Sequence, residues 1–229
     1  MKEIMTNILY HDNSITVCVK PAELLSEPDG SGNDIITHLN AYYTSIGEKT
    51  SVFPVHRLDF GVGGVMLFAN SRTAAAKLCA AVSEHKISKE YLAVLTAKPQ
   101  PESGTYRDLL FRDAKKNKSF VVKRKRAGVR EASLEYRLVG SALNRSPLYL
   151  VLIKLHTGRT HQIRVQFSSR GMPLCGDKKY GDRSHENSTG IALWSYRLSF
   201  SHPESGENMV FSYLPHDGLW KLFKLSEVF

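Results

Sequence analysis

Short apolar segments separated by turn residues constrain the fold of this chain most strongly. Segments of strand length recur, each bounded by polar, glycine or proline residues, at 8–10, 14–19, 52–55, 65–69, 90–96, 131–139, 148–155, 193–200 and 209–214. None of them approaches the ~20 residues that a membrane span requires. Because strands outnumber helices and several are joined by short turns, we predict one α+β domain over residues 1–229. Its sheet is predicted to be mixed, largely antiparallel, and flanked by helices and loops.

Helical periodicity occurs at fewer places. We predict helices after Asp34, from Asn70 or Ser71 to about His85, from Thr160 to about Arg170, and around residues 219–225. Asp34 and Asn70 or Ser71 are suitable N-caps, and Gly171 is placed to end the third helix. No repeat, low-complexity tract or interdomain linker is visible, which agrees with a single domain.

The charge balance favours a polyanionic partner. The chain carries 31 Lys and Arg against 22 Asp and Glu, a formal charge of +9. Seven basic residues fall between Lys115 and Arg126, and four of them are consecutive: Lys123, Arg124, Lys125 and Arg126. Such a segment is suited to binding the phosphates of a polyanionic partner, and the alternative is a solvated charged loop.

The cysteine pattern and the N-terminal sequence indicate the cellular compartment of the protein. The three cysteines are far apart and form no CxxC pair, which favours neither a disulfide framework nor a zinc site. Residues 1–13 contain no long apolar stretch of the kind found in signal peptides. We therefore expect a cytoplasmic protein that does not interact with a membrane.

Asp59 is the first candidate for chemistry. It follows a predicted strand and precedes Gly61, Gly63 and Gly64, which permit close backbone approach and unusual dihedral angles. A carboxylate on such a loop can be presented to a ligand. The alternative is an Asx-turn residue that only shapes the loop.

Arg164 is the natural charge partner for Asp59. On a helix that starts near Thr160, the side chains of His161, Arg164 and Ser168 share one face. The free N–H groups at the start of that helix would favour a nearby anion. The alternative is a purely structural salt bridge.

Two separated motifs resemble the RluA-type RNA pseudouridine synthases. They are His56–Arg57–Leu58–Asp59 with Gly64, and Thr157–Gly158–Arg159–Thr160–His161–Gln162–Ile163–Arg164–Val165. Further matches of lower specificity are Lys20–Pro21–Ala22, Lys89–Glu90–Tyr91–Leu92–Ala93–Val94, and the pattern of Gly171, Pro173–Leu174, Gly176–Asp177 and Tyr180–Gly181. The resemblance covers about residues 8–215 and implies a pseudouridine-synthase-like catalytic domain.

By this resemblance, Asp59 is the essential catalytic carboxylate of uridine isomerisation. Arg57 fills the gap that the extruded nucleotide leaves, Tyr91 packs on the uracil, and Arg164 pairs with Asp59. Further RNA-binding residues are expected at His56, Thr160, His161 and Gln162. Because such an enzyme acts on RNA, the basic residues Lys123, Arg124, Lys125 and Arg126 are expected to bind RNA phosphates. The resemblance implies no metal or cofactor and no protein partner, and we expect a monomer that acts on a stem-loop of ribosomal or transfer RNA.

The chain also departs from the family pattern. Phe60–Gly61 is atypical, Val62–Gly63 replaces a hydroxyl residue and serine, and Glu23 stands where glycine is common. Gln166 stands where a histidine is common, and Met172 likewise. These departures concern the loop after Asp59 and its RNA contacts. They leave Asp59, Tyr91 and Arg164 in place.

Two other functions compete with this interpretation. The first is a catalytically inactive RNA-binding or RNA-chaperone protein on the same fold, which would be insensitive to loss of Asp59. The second is a hydrolase or phosphotransferase that uses His56, Asp59 and His161, but neither a P-loop nor a kinase His-Arg-Asp loop is present. The residues before Lys20 are too few for a separate S4-like RNA-binding domain, so we expect none.

Overall fold

The computed structural model describes residues 7–143, 146–181 and 190–228. The chain forms two compact units, the first of Met1–Ser88 with Ser195–Leu214 and the second of Lys89–Trp194 with Pro215–Phe229. Each unit combines antiparallel strands with short helices, so the predicted α+β class is confirmed. Residues 1–6, on which the expected lack of a signal peptide partly depends, lie outside the described residues. No helix among the described residues is both long and apolar enough to cross a membrane.

The first unit is built on a sheet with two helices. In spatial order, its strands are β1 (Asn7–His11), β2 (Ile15–Lys20), β4 (Gly63–Ala69) and most of β10 (Leu193–Ser201), with β3 (Phe53–Pro54) beside β4 and β11 (Asn208–Ser212) beside β10. Helix α1 (Ile35–Ser45) begins at Asp34, whose Oδ1 accepts a hydrogen bond from Thr37 N at 2.8 Å. Helix α2 (Arg72–Ser83) begins at Ser71, whose side chain accepts from Ala74 N at 3.1 Å.

The core of the first unit fixes the strands that lead to Asp59. Ala74 and Leu78 of α2 pack with buried apolar residues of β2, β4 and β10, including Val17, Leu67 and Leu198. In the antiparallel pair β2–β4, Lys20 lies opposite Gly64. The loop that follows β2 and the loop that precedes β4 therefore leave the sheet at the same end.

The second unit holds the motif around Arg164. In spatial order, its strands are β5 (Ser88–Leu95), β9 (Leu148–Leu155), β8 (Val129–Ala142), β6 (Ser103–Asp113) and β7 (Lys118–Val122). Helix α3 (Gln162–Ser168) contributes Val165 to a buried cluster with Leu110 of β6, Ala132 of β8 and Tyr180. A 3₁₀ turn (Gly218–Leu222) and α4 (Leu225–Val228) replace the single predicted C-terminal helix.

Strand β6 has no counterpart among the predicted strands, because charged residues interrupt its apolar pattern. Asp108 is one of them, and its carboxylate accepts from Gln166 Nε2 at 2.7 Å and from Arg170 Nη1 at 3.0 Å. The strand is thus stabilised by polar partners that lie far away in the sequence. Only the tertiary structure supplies them.

The third helix is shorter than predicted. It begins at Gln162 because His161 has a left-handed backbone with φ of +53°, and it ends at Ser168 rather than near Arg170. Gly171, with φ of +76°, follows the end of the helix as predicted.

Candidate active site

Asp59 lies on the loop between β3 and β4. Leu58, the residue before it, is hydrogen-bonded to Ser26 in the segment that follows β2. Ser26 Oγ donates to Leu58 O at 2.7 Å and accepts from Leu58 N at 2.9 Å. Both residues are buried. The two backbone polar groups of Leu58 are therefore satisfied by one hydroxyl, which fixes the backbone immediately before Asp59.

The backbone after Asp59 is held by the same segment. Glu23 N donates to Phe60 O at 2.8 Å, and Val62 N donates to Asp59 O at 3.0 Å, which closes a tight turn. Asp59 itself is half-buried. Because both neighbours of Asp59 are anchored, the carboxylate is presented from a preorganised loop, which is the property that catalysis requires.

Lys20 is a buried cation beside this loop. Its Nζ donates to Pro21 O at 2.9 Å and to Leu24 O at 2.6 Å, and it approaches Phe60 O at 3.5 Å. Burial lowers the pKa of Lys20 to about 8, and the charge of Asp59 acts in the opposite direction. Lys20 therefore orders the turn after β2 and places positive charge within electrostatic range of Asp59.

Glu23 explains one departure from the family pattern. Its φ is +64°, in the left-handed region that favours glycine. Its side chain is exposed, while its N–H is bonded to Phe60 O. The position therefore requires a left-handed backbone, and the chain places a strained residue where glycine would fit.

Replacement of Glu23 by glycine is expected to stabilise the protein. Glu23→Gly relieves left-handed strain of ~1–2 kcal/mol, and the greater freedom of glycine in the unfolded chain offsets part of this gain. We expect the free energy of unfolding to rise by about 0.5–1 kcal/mol, measured by urea denaturation.

Ala22→Gly is the matched control, because Ala22 is exposed and has no positive φ. This variant should lower the free energy of unfolding by about 0.5–1 kcal/mol. A loss of stability in Glu23→Gly of the same size as in the control would contradict the assignment of strain.

Gly64 at the start of β4 is required for close packing. Its φ is +120°, and a Cβ atom there would lie 2.6 Å from Ser195 N within the first unit. The glycine in the Asp59 motif is thus explained by a backbone contact and not by ligand access.

His56 and Arg57 precede Asp59 and differ in exposure. Leu67 N of β4 donates to His56 Nε2 at 3.1 Å, so the ring ties the loop to the sheet. The Arg57 side chain is 73% exposed and lies 3.4 Å from a carboxylate oxygen of Glu27, also at the surface. A surface ion pair of this kind costs little to break, and Arg57 is accessible to an RNA.

In the second unit, a bidentate pair with Asp177 holds the side chain of Arg164. Its Nε and Nη2 donate to the two carboxylate oxygens of Asp177 at 2.7 and 2.9 Å, and both side chains are buried. Asp177 Oδ1 also accepts from Tyr180 N at 3.2 Å. The pairing of Arg164 with Asp59 stays a prediction, whereas the bidentate pair with Asp177 is a feature that the sequence pattern did not indicate.

Tyr180 brings the three polar residues of the predicted helix face together. His161 Nδ1 lies 3.0 Å from its hydroxyl, the Arg164 guanidinium lies over its ring at 5.1 Å, and Ser168 Oγ donates to its backbone oxygen. The tyrosine hydroxyl also accepts from Ser119 N at 2.7 Å. The motif around Arg164 and the motif around Tyr180 therefore form one polar cluster in the second unit.

Tyr91 lies on β5, opposite Ile153 of β9, and is only 6% exposed. This burial agrees with a tyrosine in a core strand. Its predicted contact with the uracil stays a prediction.

The loop before α3 is held by Gln162. Its Oε1 accepts from Thr157 Oγ1 at 2.7 Å and from Arg159 N at 3.0 Å, and its Nε2 donates to Ser133 O at 3.1 Å. The backbone oxygen of Thr160 accepts from Ser119 Oγ at 2.6 Å. The buried amide of Gln162 thus shapes the loop. This structural role accounts for glutamine at this position without direct RNA contact by its side chain.

The basic segment is divided by β7. Lys115 and Lys116 lie in the turn before this strand, whereas Lys123 to Arg126 lie in the exposed connection after it. Lys125 pairs with Glu131 at 2.5 Å, and the Arg126 guanidinium lies 4.8 Å from the ring centre of Phe111. Five strand residues separate the two groups by about 17 Å. They are therefore two basic surfaces and not one cluster.

Sequence reasoning missed the positioning roles of Lys20 and Ser26. A signal for Lys20 was present, because a lysine at the end of a mostly apolar strand is a candidate for a buried ammonium group. Ser26 gave no signal, since serine is common in loops. Its role depends on Leu58, which lies 32 residues away in the sequence.

Comparison with known proteins identifies the family. The family model described as RNA pseudouridylate synthase matches residues 14–169, which is more than half of the chain. An uncharacterized RNA pseudouridine synthase of Aquifex aeolicus is 34% identical over 92% of this chain and 69% of its own length. Ribosomal large subunit pseudouridine synthase D of Haemophilus influenzae is 34% identical over 94% of this chain and 69% of its own length.

Solved structures agree on the fold. Human RNA pseudouridylate synthase domain containing 1 matches with a TM-score of 0.79 at 21% identity, covering 94% of this chain and 85% of that chain. Human RNA pseudouridylate synthase domain containing 4 matches with a TM-score of 0.73 at 23% identity, covering 91% of this chain and 88% of that chain. Since the family model and the curated relatives agree with the resemblance seen in the motifs, the chain belongs to the RNA pseudouridylate synthase family.

Proposed function

We propose that the chain converts a specific uridine in a structured ribosomal or transfer RNA to pseudouridine, with Asp59 as the essential carboxylate. The class of enzyme follows from the family, whose members are isomerases that act on RNA. The observation that supports Asp59 most strongly is the double anchoring of its loop through Leu58 and Phe60. A residue that only shaped a turn would not need support on both sides from a separate segment.

The reaction breaks the N1–C1′ bond of the uridine, turns the uracil and rejoins it through C5. Glycosidases place two carboxylates around a water molecule, but this motif holds one carboxylate, as suits a reaction that must keep water out. Asp59 can attack C1′, add to the uracil ring or remove a proton from the sugar. All three routes need one accessible carboxylate on a preorganised loop.

The other site residues take supporting roles in this proposal. Arg57, exposed on the loop, occupies the space left by the extruded nucleotide and offsets part of the cost of extrusion, which is a few kcal/mol. Tyr91 packs on the uracil and Arg164 pairs with Asp59, as the family resemblance implies.

Large-subunit ribosomal RNA is the first substrate to test, because the relative from Haemophilus influenzae is named a ribosomal large subunit pseudouridine synthase. The RNA is proposed to contact the exposed basic connection of residues 123–126, together with His56, Thr160, His161 and the loop that the buried Gln162 shapes. The proposal also includes a single catalytic domain, a monomeric state and a cytoplasmic location.

Neutralisation of the connection after β7 should weaken binding and reduce its dependence on salt. In a variant with Lys123, Arg124, Lys125 and Arg126 changed to glutamine, the negative slope of the logarithm of the binding constant against log salt should become shallower. The magnitude of the slope should decrease by about 0.7–0.9 for each phosphate that the protein no longer neutralises. Fluorescence anisotropy with an unmodified 23S ribosomal RNA transcript measures this slope.

Lys115→Gln with Lys116→Gln is the matched control on the turn before β7. The control should change the slope less than the four-residue variant does. Equal slopes for the wild type and the four-residue variant would exclude residues 123–126 from the RNA-binding surface.

The overall function is tested by mapping pseudouridine in total RNA from a strain that lacks the gene, with add-back of wild type or Asp59→Ala. Sites that are lost on deletion and restored only by the wild type would establish the reaction and name the substrate. An unchanged map, repeated with purified protein on unmodified ribosomal and transfer RNA, would instead support the inactive RNA-binding alternative.

A further inference from the structure

We propose that Phe60 is a stacking surface for an unpaired nucleobase next to the target uridine, and that it thereby helps to select the RNA. The inference rests on the proposed function, because it takes Asp59 as the residue at the reaction centre. It adds a specificity-determining residue to that site. Phe60 is one of the departures from the family pattern, which suits substrate choice better than the shared reaction.

The first observation is the exposure of the Phe60 ring. Phe60 is 49% exposed, and among the described residues its ring has no aromatic or cation–π neighbour. Single exposed apolar residues are common on protein surfaces, so exposure alone would not indicate a ligand. The ring is, however, available for stacking from solvent.

The second observation is the rigidity of the backbone that carries this ring. Phe60 O accepts from Glu23 N at 2.8 Å and is approached by Lys20 Nζ at 3.5 Å. The turn that contains Phe60 is closed by the bond from Val62 N to Asp59 O at 3.0 Å. An exposed aromatic on a fixed turn loses little conformational entropy when it binds a flat ligand.

The third observation is what lies beside Phe60. Asp59 is its neighbour in sequence, and the exposed guanidinium of Arg57 is two residues further back on the same loop. Along this loop, a cation precedes the carboxylate and an exposed aromatic residue follows it, which suits a nucleotide whose base is unstacked and whose phosphate is negative. Stacking is tolerant of sequence, so Phe60 would favour RNAs with an unpaired base at this position.

Three variants distinguish stacking by the aromatic ring from a contact that any apolar side chain of similar size could make. Phe60→Ala should raise KM by about 5- to 150-fold, equivalent to about 1–3 kcal/mol, with kcat within about threefold of the wild type. Phe60→Leu should resemble the alanine variant, and Phe60→Tyr should resemble the wild type. The substrate is whichever unmodified ribosomal or transfer RNA transcript the wild-type enzyme converts.

Tyr42→Ala is the matched control, because Tyr42 is an aromatic residue of the same unit and is 47% exposed. The KM of the Tyr42→Ala enzyme should equal that of the wild type. An unchanged KM in both Phe60→Ala and Phe60→Leu would overturn the proposal, as would equal losses in the leucine and tyrosine variants.

A photochemical experiment keeps this proposal distinguishable from the proposed function. Transcripts that contain 5-iodouridine, irradiated with Asp59→Ala protein, should cross-link at Phe60, since the cross-link requires stacking but not catalysis. Peptide mass spectrometry locates the adduct. Cross-links elsewhere on the protein but none at Phe60 would overturn the inference even if wild-type activity is present. An adduct at Phe60 would support it even if pseudouridine is never formed.

Discussion

Asp59→Ala is expected to abolish pseudouridine formation and to leave folding and RNA binding nearly unchanged. Loss of a residue that acts as nucleophile or base lowers kcat by roughly 10⁴-fold or more. The anchors of the loop are backbone groups of Leu58, Asp59 and Phe60, which alanine at position 59 retains. Single-turnover assays on an unmodified transcript measure the rate, and anisotropy measures binding.

Two further variants sharpen this test. Asp59→Asn keeps the size of the side chain and removes the charge, so it should be as inactive as alanine. Asp29→Ala removes an exposed aspartate from a turn in the same unit and should retain the wild-type rate. An Asp59→Ala enzyme with a rate within tenfold of the wild type would show that the carboxylate does not carry the chemistry.

Asp177→Ala is expected to be the most destabilising single change in the second unit. It removes the bidentate partner of a buried guanidinium and one of two acceptors for Tyr180 N, which also donates to the backbone oxygen of residue 177. Breaking a buried ion pair by removal of one partner costs about 3–5 kcal/mol, which is a large part of the 5–15 kcal/mol that typically stabilises a domain. Urea denaturation measures the change in the free energy of unfolding.

A control and a double-mutant cycle test the cause. Glu131→Gln breaks the exposed pair with Lys125 and should leave the free energy of unfolding nearly unchanged, because water screens the pair. Arg164→Met combined with Asp177→Leu should cost less than the sum of the two single changes, because each single change removes the same Arg164–Asp177 interaction and the double change removes it only once. Strict additivity would mean that the two side chains do not stabilise each other.

The elements with regular patterns could be predicted from local sequence. The hairpin of β1 and β2, the N-cap at Asp34 and the apolar strands β4 and β9 were predicted because each carries its own signal of spacing or capping. Strand β6 was missed because its charged residues break that signal. Their partners Gln166 and Arg170 are more than fifty positions away.

The sequence by itself determined the class of fold and the family, because the motifs around Asp59 and Arg164 are specific at single-residue detail. The roles of these two residues in the chemistry stay predictions. The sequence could not determine how Asp59 is held. Ser26, Glu23 and Lys20 contact Leu58 and Phe60 only because β2 and β4 pair and bring their loops to one end of the sheet. It also could not identify Asp177 as a partner of Arg164. Contacts between distant segments depend on the packing of the whole unit, so the spacing of residues within a short segment does not predict them.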